Sequence, residues 1–361
     1  MAKITLSGLG KSYAADPASD AAWALSRLDF EFEDGGAYAL LGPSGCGKTT
    51  LLNIISGLLE PTVGEVQFDG QNMNGLGPDR RNIAQVFQFP VIYDTMTVRQ
   101  NLAFPLKNRG VPAGEIERKV AEIAEMTDLT EMLDRRASGL TADGKQKISL
   151  GRGLVRDDVN VIMFDEPLTV IDPHLKWQLR SKLKELHRRI SRTMIYVTHD
   201  QTEALTFADK VVLMKDGEVV QIGTPVELFE KPEHTFVGHF IGSPGMNLLP
   251  CRMDGVSAVV GGASLKVANG DAAASGGGSL ELGVRPEFVR FADRGVPVQV
   301  VRVMNAGRYR IVDTRTMNGE TVKLLVDNET SVPADNARLA FDPGYARVYR
   351  DGWLAGGRRT A

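Results

Sequence analysis

The chain has 361 residues, 43% of them apolar and 24% charged, the mixture of a soluble globular protein of two or three domains and not of a peptide or disulfide-stapled miniprotein. With 42 basic and 45 acidic side chains the formal charge is −3, so no global basic field points to a nucleic-acid partner. Two cysteines, Cys46 and Cys251, argue against a disulfide framework and for a reducing compartment. The start, Met1 to Leu6, lacks the apolar core of a secretory signal, and no apolar run approaches the roughly 18 to 20 residues that cross a bilayer.

From Ile4 to about Phe236 short β-rich runs alternate with helical stretches, the pattern of an α/β domain with a largely parallel sheet. Ala37 to Leu41 reads as a strand entering a glycine loop, and Thr49 to Ser56 as the following helix. Gly42-Pro43-Ser44-Gly45-Cys46-Gly47-Lys48-Thr49-Thr50 fits the phosphate-loop pattern in the strand-to-helix context its mechanism needs. Glycines let successive N–H groups and the helix N-terminus face an anion. Lys48 is then expected on the β- and γ-phosphates and the Thr49 hydroxyl on Mg²⁺. Cys46, inside the loop, reads as packing and not as a redox site.

The stretch 89–155 is richer in helix formers and reads as a helical insertion. Val159 to Phe164 and Met194 to Val197 read as buried strands, with Leu175 to Arg192 a crossover helix between them. The first of these strands ends in two carboxylates. Asp165 is expected to hold Mg²⁺ and Glu166 to polarise the attacking water, although paired acids at a strand end also occur as a solvated loop. The second ends in Thr198-His199-Asp200, where His199 could reach the γ-phosphate; a lone His at a strand end is more often structural.

After about Phe240 the composition shifts to Val, Gly and Ala with frequent turn signals, including Ser275-Gly276-Gly277-Gly278-Ser279, the texture of a small all-β domain. The boundary is therefore placed between 1–236 and 237–361. The last residues, Gly356 to Ala361, read as a frayed tail.

The phosphate loop, then Val86-Phe87-Gln88, Phe164-Asp165-Glu166-Pro167 and Thr198-His199-Asp200, taken in this order, resemble the ATPase subunit of an ATP-binding cassette transporter over roughly Ile4 to Gly242. The resemblance implies a P-loop NTPase cassette that binds ATP and Mg²⁺ and works as a dimer, each composite site joining one chain's phosphate loop to the other's signature loop. It assigns adenine stacking to Tyr13, with Trp23 in reserve because Ala14 to Ala22 blurs the alignment. Gln88 becomes a Mg²⁺-sensing and coupling residue, Phe89 to Val98 the segment where a transmembrane permease docks, and Asp172 part of a dimer-contact loop. Leu282-Gly283-Val284-Arg285-Pro286-Glu287 resembles a motif in the OB-like β-barrel regulatory domain of sugar, polyol and glycerol-phosphate importers. Related barrels serve polyamine, iron, sulfate and molybdate uptake, so a different solute stays open. So does a non-transport or mainly regulatory cassette protein. The importer reading implies a peripheral subunit on the cytoplasmic face of the inner membrane, served indirectly by a periplasmic solute-binding protein.

The signature loop departs from the family. Where Leu-Ser-Gly-Gly-Gln is usual, this chain has Leu140-Thr141-Ala142-Asp143-Gly144. A carboxylate about 4 Å from a phosphate charge is repelled by roughly 4 kcal/mol at an effective dielectric near 20. Asp143 is therefore expected to weaken its composite site unless it turns away or is screened by Lys145 or Mg²⁺. Two readings follow: a heterodimer with a second cassette ATPase bearing an intact signature, or a tolerant homodimer.

Overall fold

A computed structural model describes residues 2–14 and 23–357. Most of the ambiguous Ala14 to Ala22 stretch and the last four residues of the tail lie outside the described residues. The chain forms two compact units, Met1–Pro225 and Val226–Ala361, where the sequence reading divides at 236 and 237.

In the first unit, β1 (Ile4–Ser12), β2 (Trp23–Phe32), β4 (Val63–Phe68) and β5 (Gln71–Asn72) form an antiparallel sheet of order β2-β1-β4-β5. The second sheet contains β3 (Ala37–Leu41), β6 (Ile83–Val86), β7 (Val161–Asp165), β8 (Thr193–Thr198), β9 (Lys210–Lys215) and β10 (Glu218–Gly223), in the order β10-β9-β3-β8-β7-β6. All of its pairings are parallel except β10 on β9. β3 is Ala-Tyr-Ala-Leu-Leu and buried throughout, as expected for a parallel strand covered on both faces.

The helices are α1 (Lys48–Ser56), α2 (Pro78–Arg81), α3 (Val98–Lys107), α4 (Ala113–Met126), α5 (Ala142–Leu154), α6 (Pro173–Ile190) and α7 (Gln201–Phe207). Local chemistry sets several starts. Thr97 and Gln100 close a reciprocal capping box on α3. Asp172 caps α6, Pro173 occupies its first turn, and Arg188 and Arg189 complement the dipole of its last. α3, α4 and α5 lie within 89–155, the stretch the sequence reads as a helical insertion.

The apolar core of this unit joins Leu6, Phe32, Leu40, Leu51, Ile55, Val66, Met163 and Val197, which belong to both sheets and to α1. The carboxyl ends of β6, β7, β8 and β3 lie side by side: Val86 pairs with Phe164, Asp165 with Val197, and Thr198 with Leu41. Ligands of open α/β sheets bind outside such a row of strand ends.

The second unit is built of antiparallel strands in three sheets. Asn247–Pro250, Leu280–Val284, Arg347–Arg350 and Trp353–Leu354 form one, Val289–Asn305 with Arg310–Thr316, Thr321–Val326 and Asn336–Phe341 another, and three short strands between 252 and 266 the third. Its own core includes Leu249, Val284, Val298, Val312, Leu324, Leu339 and Val348.

Candidate active site

The phosphate loop leaves β3 at Gly42 and enters α1 at Lys48, one residue earlier than the sequence reading places the helix start. Two of its glycines are sterically required. A β-carbon on Gly42 would stand 2.2 Å from the Met214 carbonyl oxygen, and one on Gly47, whose φ is 97°, 2.6 Å from that of Ala24. Gly47 is the residue that caps α1, and it carries no side chain to satisfy the first amides of the helix, so these remain available to an anion. Ser44 and Gly45 are exposed at the crest of the loop.

Lys48 is buried, and its ammonium donates to the carbonyls of Gly42 and Pro43, both at 2.8 Å. Cys46 is buried beside it, its Sγ 3.7 Å from Lys48 Nζ; burial pushes the thiol up in pKa and Lys48 opposes this. The Thr49 hydroxyl donates to Asp165 Oδ1 at 3.2 Å. Hard oxygen donors from a helix start and a strand end suit Mg²⁺. Burial raises the Asp165 carboxyl above its ordinary range; the Thr49 hydrogen bond opposes this and the Glu166 charge adds to it.

Glu166 and His199 meet from adjacent strand ends, Oε1 to Nδ1 at 3.1 Å. Glu166 adopts φ 46°, a left-handed conformation that costs a non-glycine residue on the order of 1–3 kcal/mol. The strain is held by Glu166 N donating to Val197 O at 3.0 Å and by the Thr169 hydroxyl donating to Glu166 O at 3.0 Å. Such an outlier beside an acid–histidine contact is the kind of backbone that aims a side chain.

Tyr13 is 67% exposed, its hydroxyl 3.4 Å from Thr50 Oγ1, and Lys11 Nζ lies 5.5 Å from its ring centre. Trp23, the reserve for stacking, is half-buried on β2, where its ring limits the space above Gly10. Gln88 follows β6 by two residues, half-buried, and its side chain makes no hydrogen bond among the described residues. The structure thus brings Lys48, Thr49, Asp165, Glu166 and His199 to one edge; Gln88, just beyond the end of β6, makes no hydrogen bond to them. Asp172 accepts a hydrogen bond from His174 N at 2.9 Å, its side chain serving as the α6 cap.

The signature segment corrects one expectation. Asp143 is screened by Lys147, 3.5 Å away, whereas Lys145 turns to Asp94 at 2.9 Å. Residues i and i+4 share a helix face and i and i+2 do not, which is why Lys145 cannot serve. The other Asp143 oxygen, Oδ1, is buried with no hydrogen-bond partner among the described residues. Ala142 is exposed at the first position of α5, and the Thr141 hydroxyl accepts from Gly144 N at 3.3 Å.

Two buried residues, Gln146 and Glu203, escaped the sequence reading. Gln146 donates from Nε2 to Phe87 O at 3.2 Å and to Pro167 O at 2.9 Å, so one amide on α5 joins the segment before Gln88 to the loop after Glu166. Further along α5, Arg152 donates to Val91 O and lies 4.8 Å from the Tyr93 ring, beside exposed Phe89 and Val91. The second is Glu203, whose partners span β8 and α6.

The raised carboxyl of Asp165 has a stability consequence with a definite sign. An acid whose pKa is higher folded than unfolded disfavours folding once it ionises, so its cost is present at neutral pH and fades as pH falls into the carboxylate range. Asp165→Asn is expected to raise the melting temperature at pH 7, with a gain that shrinks at lower pH, while Mg²⁺-dependent ATP binding weakens; thermal melts across pH check both.

A family model described as ABC transporter matches residues 25–169, and one described as MalK OB fold domain matches residues 242–289. The sn-glycerol-3-phosphate import ATP-binding protein UgpC of Cereibacter sphaeroides is 42% identical over 352 residues, covering 97% of each chain. The protein of that name from Ruegeria sp. is 42% identical over 348 residues, 95% of each. A solved dimeric ATP-binding cassette in a post-hydrolysis state, bound to ADP and Pi, superposes with a TM-score of 0.55 at 27% identity, over 62% of this chain and 98% of that one. With relatives aligned from end to end and a phosphate loop, paired acids and histidine on one sheet edge, the chain belongs to the ATP-hydrolysing subunits of ABC transporters, in the group that carries a MalK-type OB-fold domain.

Proposed function

We propose that this chain powers an importer from the cytoplasmic face of the membrane, hydrolysing ATP at the strand-end site and passing the resulting motion to a permease. The observation that carries this reading is the Glu166–His199 contact at 3.1 Å, set beside Lys48 and the Thr49–Asp165 pair. Lys48 exchanges its two carbonyl partners for phosphate oxygens, and the amides of Gly45 to Thr50 cradle the β-phosphate. Tyr13 stacks on adenine. Thr49, Asp165 and Gln88 are the oxygen donors for Mg²⁺, which when bound neutralises phosphate charge. Glu166 orients water and draws its proton, and His199 holds Glu166 and the γ-phosphate in line. Exposed Phe89 and Val91, the latter with its carbonyl held by Arg152 of α5, offer the permease an apolar contact. Among the described residues no helix is long and apolar enough to cross a membrane, consistent with a separate permease chain.

The solute is proposed to be glycerol phosphate or a related polyol, because relatives named for sn-glycerol-3-phosphate import align over nearly the whole chain. Affinity purification from native membranes, with the co-purifying permease tested for solute uptake, decides it; a permease that transports an unrelated solute refutes this assignment.

The dimer is proposed to be a heterodimer with a second cassette ATPase whose signature loop is intact. Thr141 and Gly144, hydroxyl and amide at the start of α5, are bonded to each other and so are less available to a phosphate. Ala142 and Asp143 add β-carbons where the family has glycine. Lys147 offsets part of the Asp143 charge, so obstruction of the close approach weighs alongside the repulsion that the bare carboxylate implies. Mixing this chain with the partner is expected to raise ATPase activity at least tenfold over either alone, roughly 1.4 kcal/mol of barrier. Strong turnover by this chain alone, unchanged by Asp143→Gly, overturns the heterodimer.

A further inference from the structure

His199 projects from a half-exposed turn, yet the turn is assembled around a buried carboxylate. The side chain of Glu203, on α7, is only 5% exposed. Its Oε2 accepts from the Thr198 hydroxyl at 2.9 Å and from the Tyr196 hydroxyl at 3.1 Å, and its Oε1 lies 3.5 Å from the Lys176 ammonium of α6. Thr198 Oγ1 accepts in turn from Asp200 N at 3.0 Å, while Asp200 Oδ1 accepts from Thr202 N at 2.7 Å and Glu203 N at 3.3 Å. His199 is therefore the middle residue of a turn whose two neighbours are both fastened to the start of α7.

The donors to Glu203 are themselves fixed. The Tyr196 ring packs between those of Phe164 and Phe207, with centroids 5.8 and 5.1 Å away, so its hydroxyl cannot follow a displaced carboxylate. Burial and the Glu203 charge hold the Tyr196 phenol well above its usual pKa, which keeps it the donor. Lys176 lies one helical turn beyond Asp172, the cap of α6, and is a quarter exposed. An ion pair at 3.5 Å therefore runs from the end of α6 nearest Asp172 to the turn that carries His199.

We propose that Glu203 is a positioning residue for ATP hydrolysis, setting the His199 turn and linking it through Lys176 to the Asp172 end of α6. A displacement of that helix at the dimer contact then reaches the histidine. The proposal rests on the assignment of His199 and Glu166 to hydrolysis made above.

The test is a pair of double-mutant cycles read as ATP turnover by the full chain in its co-purified transporter, with ATP affinity measured in parallel. Glu203→Leu is expected to lower kcat about 10- to 100-fold with KM for ATP unchanged. Glu203→Gln, which keeps an oxygen for Thr198 and Tyr196, recovers most of the loss. In a His199→Ala background Glu203→Leu lowers kcat no further, because both changes remove one function. Lys176→Met, at a partly exposed position that tolerates it, lowers kcat several-fold alone and has no effect beside Glu203→Leu; it keeps the test available should Glu203→Leu fail to fold. Additive losses in the cycles, or ATP affinity falling together with kcat, overturn the proposal. A His199→Ala chain that turns over at the wild-type rate refutes the underlying assignment by a separate observation, and the proposal with it.

Discussion

Glu166→Gln is expected to reduce ATP turnover by about 10²- to 10⁴-fold while leaving ATP binding intact. The two side chains are nearly isosteric, so the hydrogen bond to His199 at 3.1 Å and the left-handed backbone at residue 166 persist, and only the capacity to take a proton from water is lost. Binding survives because the phosphate contacts come from the loop before α1, on a different strand end. Single-turnover hydrolysis and nucleotide affinity, measured on the same preparation, separate the two effects. A variant that hydrolyses at the wild-type rate removes Glu166 from the water-activating role. Equal loss of binding and turnover instead makes it a structural support for the phosphate loop.

The second large effect concerns stability. Arg285 is 2% exposed, and among the described residues its guanidinium has no carboxylate hydrogen-bond partner. Its guanidinium instead donates to the carbonyls of Leu228, Phe229, Gly238 and Ile241 and lies 4.1 Å from the Phe229 ring centre. Burial lowers its pKa to about 10, and Glu287 partly restores it. The planar fork of arginine reaches several carbonyls at once, which an ammonium cannot do. Arg285→Met takes this donor from the Leu228, Phe229 and Ile241 carbonyls, at about 1–3 kcal/mol each before relaxation, while Gly238 O keeps Met246 N at 3.0 Å. We expect at least about 3 kcal/mol of destabilisation of the second unit, and little recovery with Arg285→Lys. Thermal melts of the full chain, followed by proteolysis of residues 226–357, measure it. A melting temperature unchanged in Arg285→Met shows that water replaces the guanidinium at little cost.

These two residues differ in what the sequence said of them. Glu166 stands at the end of an apolar strand beside a second acid, and the role proposed for it follows from residue type and position. Arg285 was visible only as part of Arg285-Pro286-Glu287, because its partners lie 44 to 57 residues earlier in the chain. Asp143 shows a middle case. Its departure from the family pattern is plain in the sequence, and its partner follows from helix geometry once α5 is known to begin at Ala142, since Lys147 and not Lys145 then shares its face.

What the sequence determined by itself was the local make-up of the candidate site. Gly42, Gly47, Lys48 and Thr49 lie within one turn of chain, where residue type dictates the backbone conformation and the groups offered, and the strands that end at Asp165 and Thr198 announce themselves as short apolar runs. Tertiary structure alone decided how these ends are held together. Gln146 joins residues 87 and 167, and Glu203 joins β8 to α6. Each of these depends on which buried polar atom finds a partner across the fold, and a buried polar group is satisfied by geometry that no local pattern of residues encodes.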